Sequence, residues 1–324
     1  LKKEQVIIIG GGPCGMSAAI ALQKQGINPL IIEKENVVST IYNFPTHQMF
    51  FSSSDKLEIG EIPFITEKQK PVRNEALAYY RTVAARTKLR INAFERVTEI
   101  KQAAKQFTLS TVKNTQEECN YIADKVIIAT GYYDQPNYMM IPGEKSPKVM
   151  HYFKESHPYF NKDVVVIGGK NSAVDATLEL HKAGARVTVF YRGESYSKSI
   201  KPWILPEFES LANKNKINMH FNAEVTAITN EIVHYTVNGK ENTLKNDFVF
   251  AMTGYKPNLE FLKDSGIDIN PDNGKPKFNE DTMETNVPGL YIAGVIAAGY
   301  NNNEIFIENG RFHGDKIANS IIGD

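Results

Sequence analysis

The chain has 324 residues, enough for two domains of ordinary size. Its 37 basic and 37 acidic residues cancel, so net charge offers nothing to attract a nucleic acid or an anionic membrane. Apolar content of 42% and charged content of 23% are those of a soluble globular protein.

No apolar run approaches the ~18 residues of a membrane-spanning helix. The apolar stretch at 6–9 breaks straight into glycines and is a poor secretory signal. The only cysteines are Cys14 and Cys119, which make no disulfide scaffold and fit a reducing, cytoplasmic setting. No metal site is expected.

In chain order, Val6-Ile7-Ile8-Ile9 reads as a strand apolar on both faces, as at the centre of a parallel sheet. Gly10-Gly11-Gly12-Pro13-Cys14-Gly15 follows as a glycine-rich turn, and a helix is predicted over 14–25. Gly10 permits the tight turn, Gly12 lets the backbone approach a pyrophosphate, and Gly15 lets the helix pack on the strand. The free N–H groups and positive end of such a helix suit phosphate. The next strand, 29–32, ends at Glu33, 23 residues after Gly10, where a carboxylate accepts hydrogen bonds from ribose hydroxyls. Strand, turn, helix, strand and acid in order mark a dinucleotide site, FAD or NAD.

Short alternating runs at 97–101, 107–112 and 119–123 predict a small antiparallel meander. Residues 126–131 (VIIATG) form another buried strand ending in Ala129, Thr130 and Gly131.

Val164-Val165-Val166-Ile167 then repeats the opening strand, followed by Gly168, Gly169, Lys170, Asn171, Ser172 and Ala173 and a helix predicted over 172–183. Lys170 stands where the first turn has its middle glycine. The position matching Glu33 holds Tyr191, followed by Arg192. With no carboxylate to repel a 2′-phosphate and a guanidinium adjacent, NADPH is favoured over NADH. Lys198 and Lys201 are either further phosphate contacts or ordinary surface cations.

Strands are predicted again at 225–229, 232–237 and 240–244, and FVFAMTG (248–254) repeats the crossover strand about 120 residues after the first. The tail has a strand at 289–293, Gly294, and a helix predicted from about Asn303 to 322, too little for a domain of its own. It is expected to complete the first domain. The expected division is 1–142, 143–256 and 257–324: an α/β protein of two Rossmann-like dinucleotide-binding domains, the second inserted into a discontinuous first.

With these motifs laid out, the chain resembles the two-dinucleotide-binding-domain flavoproteins, small thioredoxin-reductase-like branch. GGGPCG with Glu33, IIATG, the second turn with NSA, MTGYKPN and GLYIAG stand in that family's order over almost the whole chain. Segments 43–60, 167–175, 191–209 and 307–314 (IENGRFHG), with Cys14 in the first turn, closely resemble bacillithiol-disulfide reductases.

The resemblance implies FAD in the first site, NADPH in the second, a low-molecular-weight thiol disulfide, bacillithiol disulfide, as substrate, and Cys14 as redox cysteine. It implies a homo-oligomer, and a rotation of the inserted domain with hinges at 132–137 and 255–258. FAD contacts are then expected from Gly10, Gly12, Pro13, Gly15, Glu33, Lys34, Asn43, His47, Ser52, Ala129, Thr130, Gly131, Gly294, Val295, Asn303, Glu304 and Ile305. NADPH contacts are expected from Gly168, Gly169, Lys170, Asn171, Ser172, Ala173, Arg192 and Lys198.

The chain departs from the broader pattern in three places. Residues 145–163 hold no C-x-x-C, and 34–51 hold no cysteine pair. Val295 stands where many relatives place a ribitol-binding aspartate, leaving backbone or residues 301–303 to serve.

Cys14 at a helix N-terminus is expected to have its thiolate favoured by the dipole. Against that, a bound pyrophosphate opposes a second negative charge there, and a plain small-residue role stays open. Cys119 is expected to be structural. The alternatives are a ferredoxin or flavodoxin NADP+ reductase of the same fold, and a non-catalytic flavin and nucleotide redox sensor.

Overall fold

A computed structural model describes residues 2–301 and 303–323. The chain divides into two units, one made of Leu1–Gln135 with Lys256–Asp324 and the other of Pro136–Tyr255.

The first unit opens with β1 (Lys2–Ile9), whose last four residues are almost wholly buried, as an apolar run between two sheet neighbours must be. α1 (Pro13–Lys24) begins on a proline, which suits a first helical position because its missing N–H has no partner to lose. β2 (Leu30–Ile32), α2 (Ser39–Asn43), α3 (Arg73–Arg86) and β3 (Arg90–Asn92) follow. The predicted meander is β4 (Glu95–Ala103), β5 (Gln106–Lys113) and β6 (Glu118–Ile128), antiparallel throughout.

The second unit contains β7 (Val149–Met150), β8 (Asp163–Ile167), α4 (Asn171–Lys182), β9 (Arg186–Phe190), α5 (Leu205–Asn213) and β10 (Asn218–His220). β11 (Ala223–Ile228), β12 (Ile232–Val237) and β13 (Lys240–Lys245) form its antiparallel meander, and β14 (Phe248–Ala251) returns to the main sheet. That sheet is parallel, in the order β10-β9-β8-β14-β7.

The chain then re-enters the first unit with α6 (Leu259–Asp264), β15 (Leu290–Ile292), α7 (Ile307–Gly310) and α8 (His313–Gly323). β15 pairs in parallel with β6 and completes a seven-stranded sheet whose main path is β3-β2-β1-β6-β5-β4. β6 is long enough to serve two partners along one side, β5 at 118–123 and β15 at 126–128.

The tail differs from expectation: helix begins at Ile307, not near Asn303, and is broken at 311–312. Asn303 sits in a turn, its N–H donating to Asn301 Oδ1, and Glu304 pairs with Lys275 at 2.9 Å. The break lays Gly310 against Cys14 and Gly314 against Ala18 of α1; a Cβ on Gly314 would stand 2.6 Å from the Ala18 Cα. Asn302 lies outside the described residues.

The two crossing segments meet in an isolated antiparallel bridge between Pro136 and Tyr255. The Lys256 N–H donates to the Gln135 carbonyl at 2.9 Å, and the Asn137 N–H to the Gly254 carbonyl at 2.9 Å.

Candidate functional site: two nucleotide cradles

Strand register sets the first site. Ile9 pairs with Ile32 and Ile128, and Ile128 with Ile292, so the carboxyl ends of β1, β2, β6 and β15 are level. Gly10, Glu33, Ala129 and Ala293 therefore leave the sheet side by side, and ligands of open α/β sheets bind at such an edge. The Gly10 N–H donates to the Ile32 carbonyl and the Ala129 N–H to the Ile9 carbonyl. Gly10 has φ +110°, and a Cβ there would stand 2.4 Å from the Ala129 carbonyl oxygen, so no other residue fits.

Gly12 is glycine for a different reason. Its backbone is ordinary extended (φ −77°, ψ 175°), and a Cβ there would meet nothing of the chain within 4 Å. The space it leaves faces the first turn of α1, which has no side-chain cap and no acid. Such uncapped N–H groups hold a pyrophosphate.

Glu33 is buried, its Oε2 accepting the Gly11 N–H at 2.6 Å and its Oε1 the Glu35 N–H at 2.9 Å. Burial raises its carboxyl pKa above the usual value, and those two backbone bonds oppose the shift. Its main chain is held on both sides, donating to the Asn92 carbonyl and accepting the Glu95 N–H, each at 2.9 Å. These features fit the adenosine ribose and pyrophosphate of FAD.

The other expected contacts fall as follows. Pro13 opens α1 and Gly15 packs under Gly10. Lys34 is paired with Asp134, and Asn43 donates to Glu35 at 3.4 Å. His47 is exposed in the turn at 46–47, and the Ser52 hydroxyl donates to Glu308. Thr130 and Gly131 follow Ala129 at the sheet edge, half-buried. Val295 begins a short 3-10 turn after Gly294, and Ile305 packs on the core.

Cys14 is half-buried at the start of α1, its Sγ 3.0 Å from where a Cβ would stand on Gly310 and 3.1 Å from one on Gly294. Burial first, and the Glu308 carboxylate second, push its thiol up to about 12. This reverses the expected dipole effect: the polypeptide itself holds Cys14 as a thiol, because desolvation and a nearby anion outweigh the helix end.

Beside it, His313 Nδ1 accepts the Gly294 N–H at 3.1 Å, and burial with the nearby Lys316 lowers its pKa to about 4. The group is depressed, so its contribution to stability is present above the usual value near 6.5 and is lost as pH falls through 4. In thermal melts of the flavin-free protein, a loss of at most about 3 kcal/mol is expected across that window. His313→Gln should flatten the slope, and an equally steep fall in that variant would refute the assignment.

The second cradle repeats the first. Ile167 is level with Phe190 and Ala251, and the Gly168 N–H donates to the Phe190 carbonyl at 3.0 Å. Gly168 has φ +139°, with the Met252 carbonyl oxygen 2.5 Å from a built Cβ, the same relation Gly10 has to Ala129. α4 also starts without a side-chain cap or a first-turn acid, which fits the phosphates of a second dinucleotide.

At the place of Glu33, the Tyr191 ring lies against both Gly169 and Gly193, where built Cβ atoms would come within 2.3 and 2.5 Å of it. Lys170, Arg192 and Lys198 are exposed at this end of the unit. Ser172 and Ala173 are the second and third residues of α4, Ala173 buried. Tyr191 in place of a carboxylate, with the exposed Arg192 next to it, fits a 2′-phosphorylated nucleotide.

Glu308, Gly310 and His313 escape a reading by motif. They lie at the far end of the chain from Cys14, and only their place in IENGRFHG draws notice to them. Among the described residues no group of three or more His, Cys, Asp or Glu is placed to hold a metal ion, and no helix is long and apolar enough to cross a membrane.

Comparison with known proteins agrees with this geometry. The chain is 62% identical over 321 residues to bacilliredoxin reductase Bdr of Bacillus subtilis (strain 168), covering 98% of each. It superposes on the bacillithiol disulfide reductase Bdr of Bacillus cereus with a TM-score of 0.98, at 62% identity and 99% coverage of both chains. The Staphylococcus aureus enzyme of that name gives 0.95 at 57% identity, covering 100% of this chain and 99% of its own. The family profile for pyridine nucleotide-disulphide oxidoreductases matches residues 7–294, and that membership implies FAD and NADPH. The chain therefore belongs to the pyridine nucleotide-disulphide oxidoreductase family, an enzyme of its bacillithiol-disulfide-reductase branch.

Proposed function

We propose that the chain is an NADPH-dependent flavoprotein that reduces a low-molecular-weight thiol disulfide, bacillithiol disulfide, with Cys14 as its redox cysteine. The observation that carries this reading is the pair of matched cradles: one ends in the buried Glu33, and its twin carries Tyr191 and Arg192 at the same place. In this reading the first unit holds FAD and the second holds NADPH. The names of the relatives supply the substrate class. A cytoplasmic location and a homo-oligomer belong to the same proposal; the balanced charge and free cysteines agree with the first and offer no nucleic-acid or membrane partner.

Bound in the first cradle, FAD supplies a two-electron carrier able to accept from a nicotinamide and to give to a disulfide. The protein's own part begins with Gly12, which leaves room for the pyrophosphate, and Glu33, which fixes the ribose. Gly294 and Gly310 leave the Cys14 sulfur the space it occupies between them.

The step assigned to Cys14 is attack on the bound disulfide. A bond forms between Cys14 Sγ and one substrate sulfur, the substrate S–S bond breaks, and the departing thiolate takes up the proton that Cys14 gives up. A thiol held near 12 needs that proton removed before or during attack.

The test is NADPH consumption by the purified flavoprotein with bacillithiol disulfide, glutathione disulfide, oxidised thioredoxin and a ferredoxin. Turnover with bacillithiol disulfide is expected. Turnover with the ferredoxin alone would make the chain a ferredoxin NADP+ reductase, and no bleaching of the flavin by NADPH would make it a sensor.

A further inference from the structure

We infer that Asn171 is a positioning residue that fixes the loop 197–201 against the start of α4, and so sets the preference for a 2′-phosphorylated dinucleotide. The inference rests on the assignment of the second unit to NADPH. Asn171 is the residue that corresponds, turn for turn, to Pro13 of the first cradle, counted from Gly168 and Gly10. Proline offers no side-chain donor or acceptor, whereas the amide of Asn171 offers both.

Both ends of that amide are taken by the loop. Nδ2 donates to the Ser199 carbonyl at 3.0 Å, and Oδ1 accepts the Lys201 N–H at 2.9 Å. The planar group thus grips two main-chain positions on either side of Ile200, which is itself buried in the core of the unit. Beyond the grip, the Lys201 carbonyl accepts from Ile204 at 3.1 Å and Leu205 at 3.2 Å, tying the loop into α5. On the near side the Ser197 and Ser199 hydroxyls are 2.8 Å apart, and the Ile200 N–H donates to the Ser197 carbonyl at 3.1 Å.

A side chain used in this way acts on the nucleotide through the loop it holds. The loop carries Lys198 and ends at Lys201, so a segment with two cations is fixed at the uncapped end of α4. The third cation, Arg192, follows the Tyr191 ring that lies against Gly169 and Gly193. A fixed cation favours a doubly charged phosphate more than a mobile one does, because less side-chain and loop freedom is lost on binding. The first cradle has Pro13 at the matching place, whose side chain can grip no loop in this way, and it carries an acid at the ribose position.

The test uses nucleotide fragments, so it does not depend on turnover. Affinities of the flavin-loaded protein for 2′,5′-ADP and 5′-AMP are measured by calorimetry in the parent, Asn171→Ala and Arg192→Ala. Exchange of the Lys201 amide hydrogen is followed in the first two.

In Asn171→Ala, binding of 2′,5′-ADP is expected to weaken about tenfold, as loss of a fixed charge contact does, and 5′-AMP by less than about threefold. The Lys201 amide is expected to exchange faster. An unchanged ratio of the two affinities, or equal loss of both, would overturn the inference. If Asn171→Ala does not fold, Asn171→Ser is judged by the same ratio and the same amide. A parent that fails to prefer 2′,5′-ADP, together with an unaffected Arg192→Ala, would instead refute the assignment of NADPH to this unit.

Discussion

A Gly12→Val variant is expected to fold as the parent does and to emerge without bound flavin. The backbone at Gly12 is one that valine adopts freely, and the added atoms meet no part of the chain within 4 Å of the Cβ. They enter the space beside the first turn of α1, where a pyrophosphate must come close to the main chain. A loss of at least about a hundredfold in FAD affinity is expected, with circular dichroism and melting temperature of the flavin-free protein near the parent's. Gly15→Ala makes the contrast: a Cβ there stands 2.1 Å from the Gly10 carbonyl oxygen, so fold and cofactor fail together. Flavin titration by fluorescence quenching, paired with a thermal melt, separates the two. A yellow Gly12→Val protein with parental affinity would remove the first cradle as the flavin site.

Replacing Cys14 with serine should divide the reaction. NADPH is expected to bleach the flavin at the parental rate, while disulfide turnover falls by about a hundredfold or more, as loss of a nucleophile does. Serine retains the size that the gap between Gly294 and Gly310 accommodates, so the loss reads as chemistry and not as collapse. The parent also carries a pH signature. With the thiol held near 12, the thiolate fraction rises about tenfold per pH unit throughout the neutral range. Alkylation of Cys14 by iodoacetamide should therefore accelerate steadily from pH 7 to 9 without a plateau. A plateau near pH 7 would mean a thiolate already formed, and a serine variant with full turnover would return Cys14 to a packing role.

Much of this architecture is legible in residue order. Apolar runs at 6–9 and 164–167 announce strands buried on both faces, and the glycines after them announce turns that the register of Ile9 and Ile167 then makes equivalent. The alternation at 107–112 likewise gives the meander strand β5, because one of its faces is buried and the other is not.

What local sequence misses is what distant segments bring to a residue. The dipole argument at Cys14 considers one helix, whereas the thiol is governed first by burial and second by the Glu308 carboxylate, and the fold brings Glu308 and the covering Gly310 from the tail. Asn303 looks like a helix start because asparagine caps helices, but the helix starts after Phe306, and Asn309, its third residue, reaches back with Oδ1 to accept the Phe306 N–H at 2.8 Å. The helix α3 passes unannounced, since its buried face is made of Arg73, Ala76, Tyr79, Tyr80 and Val83, a mixed set with no clean apolar stripe. Asn171 reads as a cofactor ligand because it lies in the glycine turn, and only the folded loop reveals that both ends of its amide are occupied.

The paired crossings have a consequence for how such a chain can be rebuilt. Gln135 and Lys256 are joined by a main-chain hydrogen bond, as are Asn137 and Gly254, and these two bonds flank the antiparallel bridge between Pro136 and Tyr255. A tight hairpin of two or three residues is thus long enough to splice the outer segments together, leaving the intervening cassette to be grown alone or exchanged for one of different nucleotide taste.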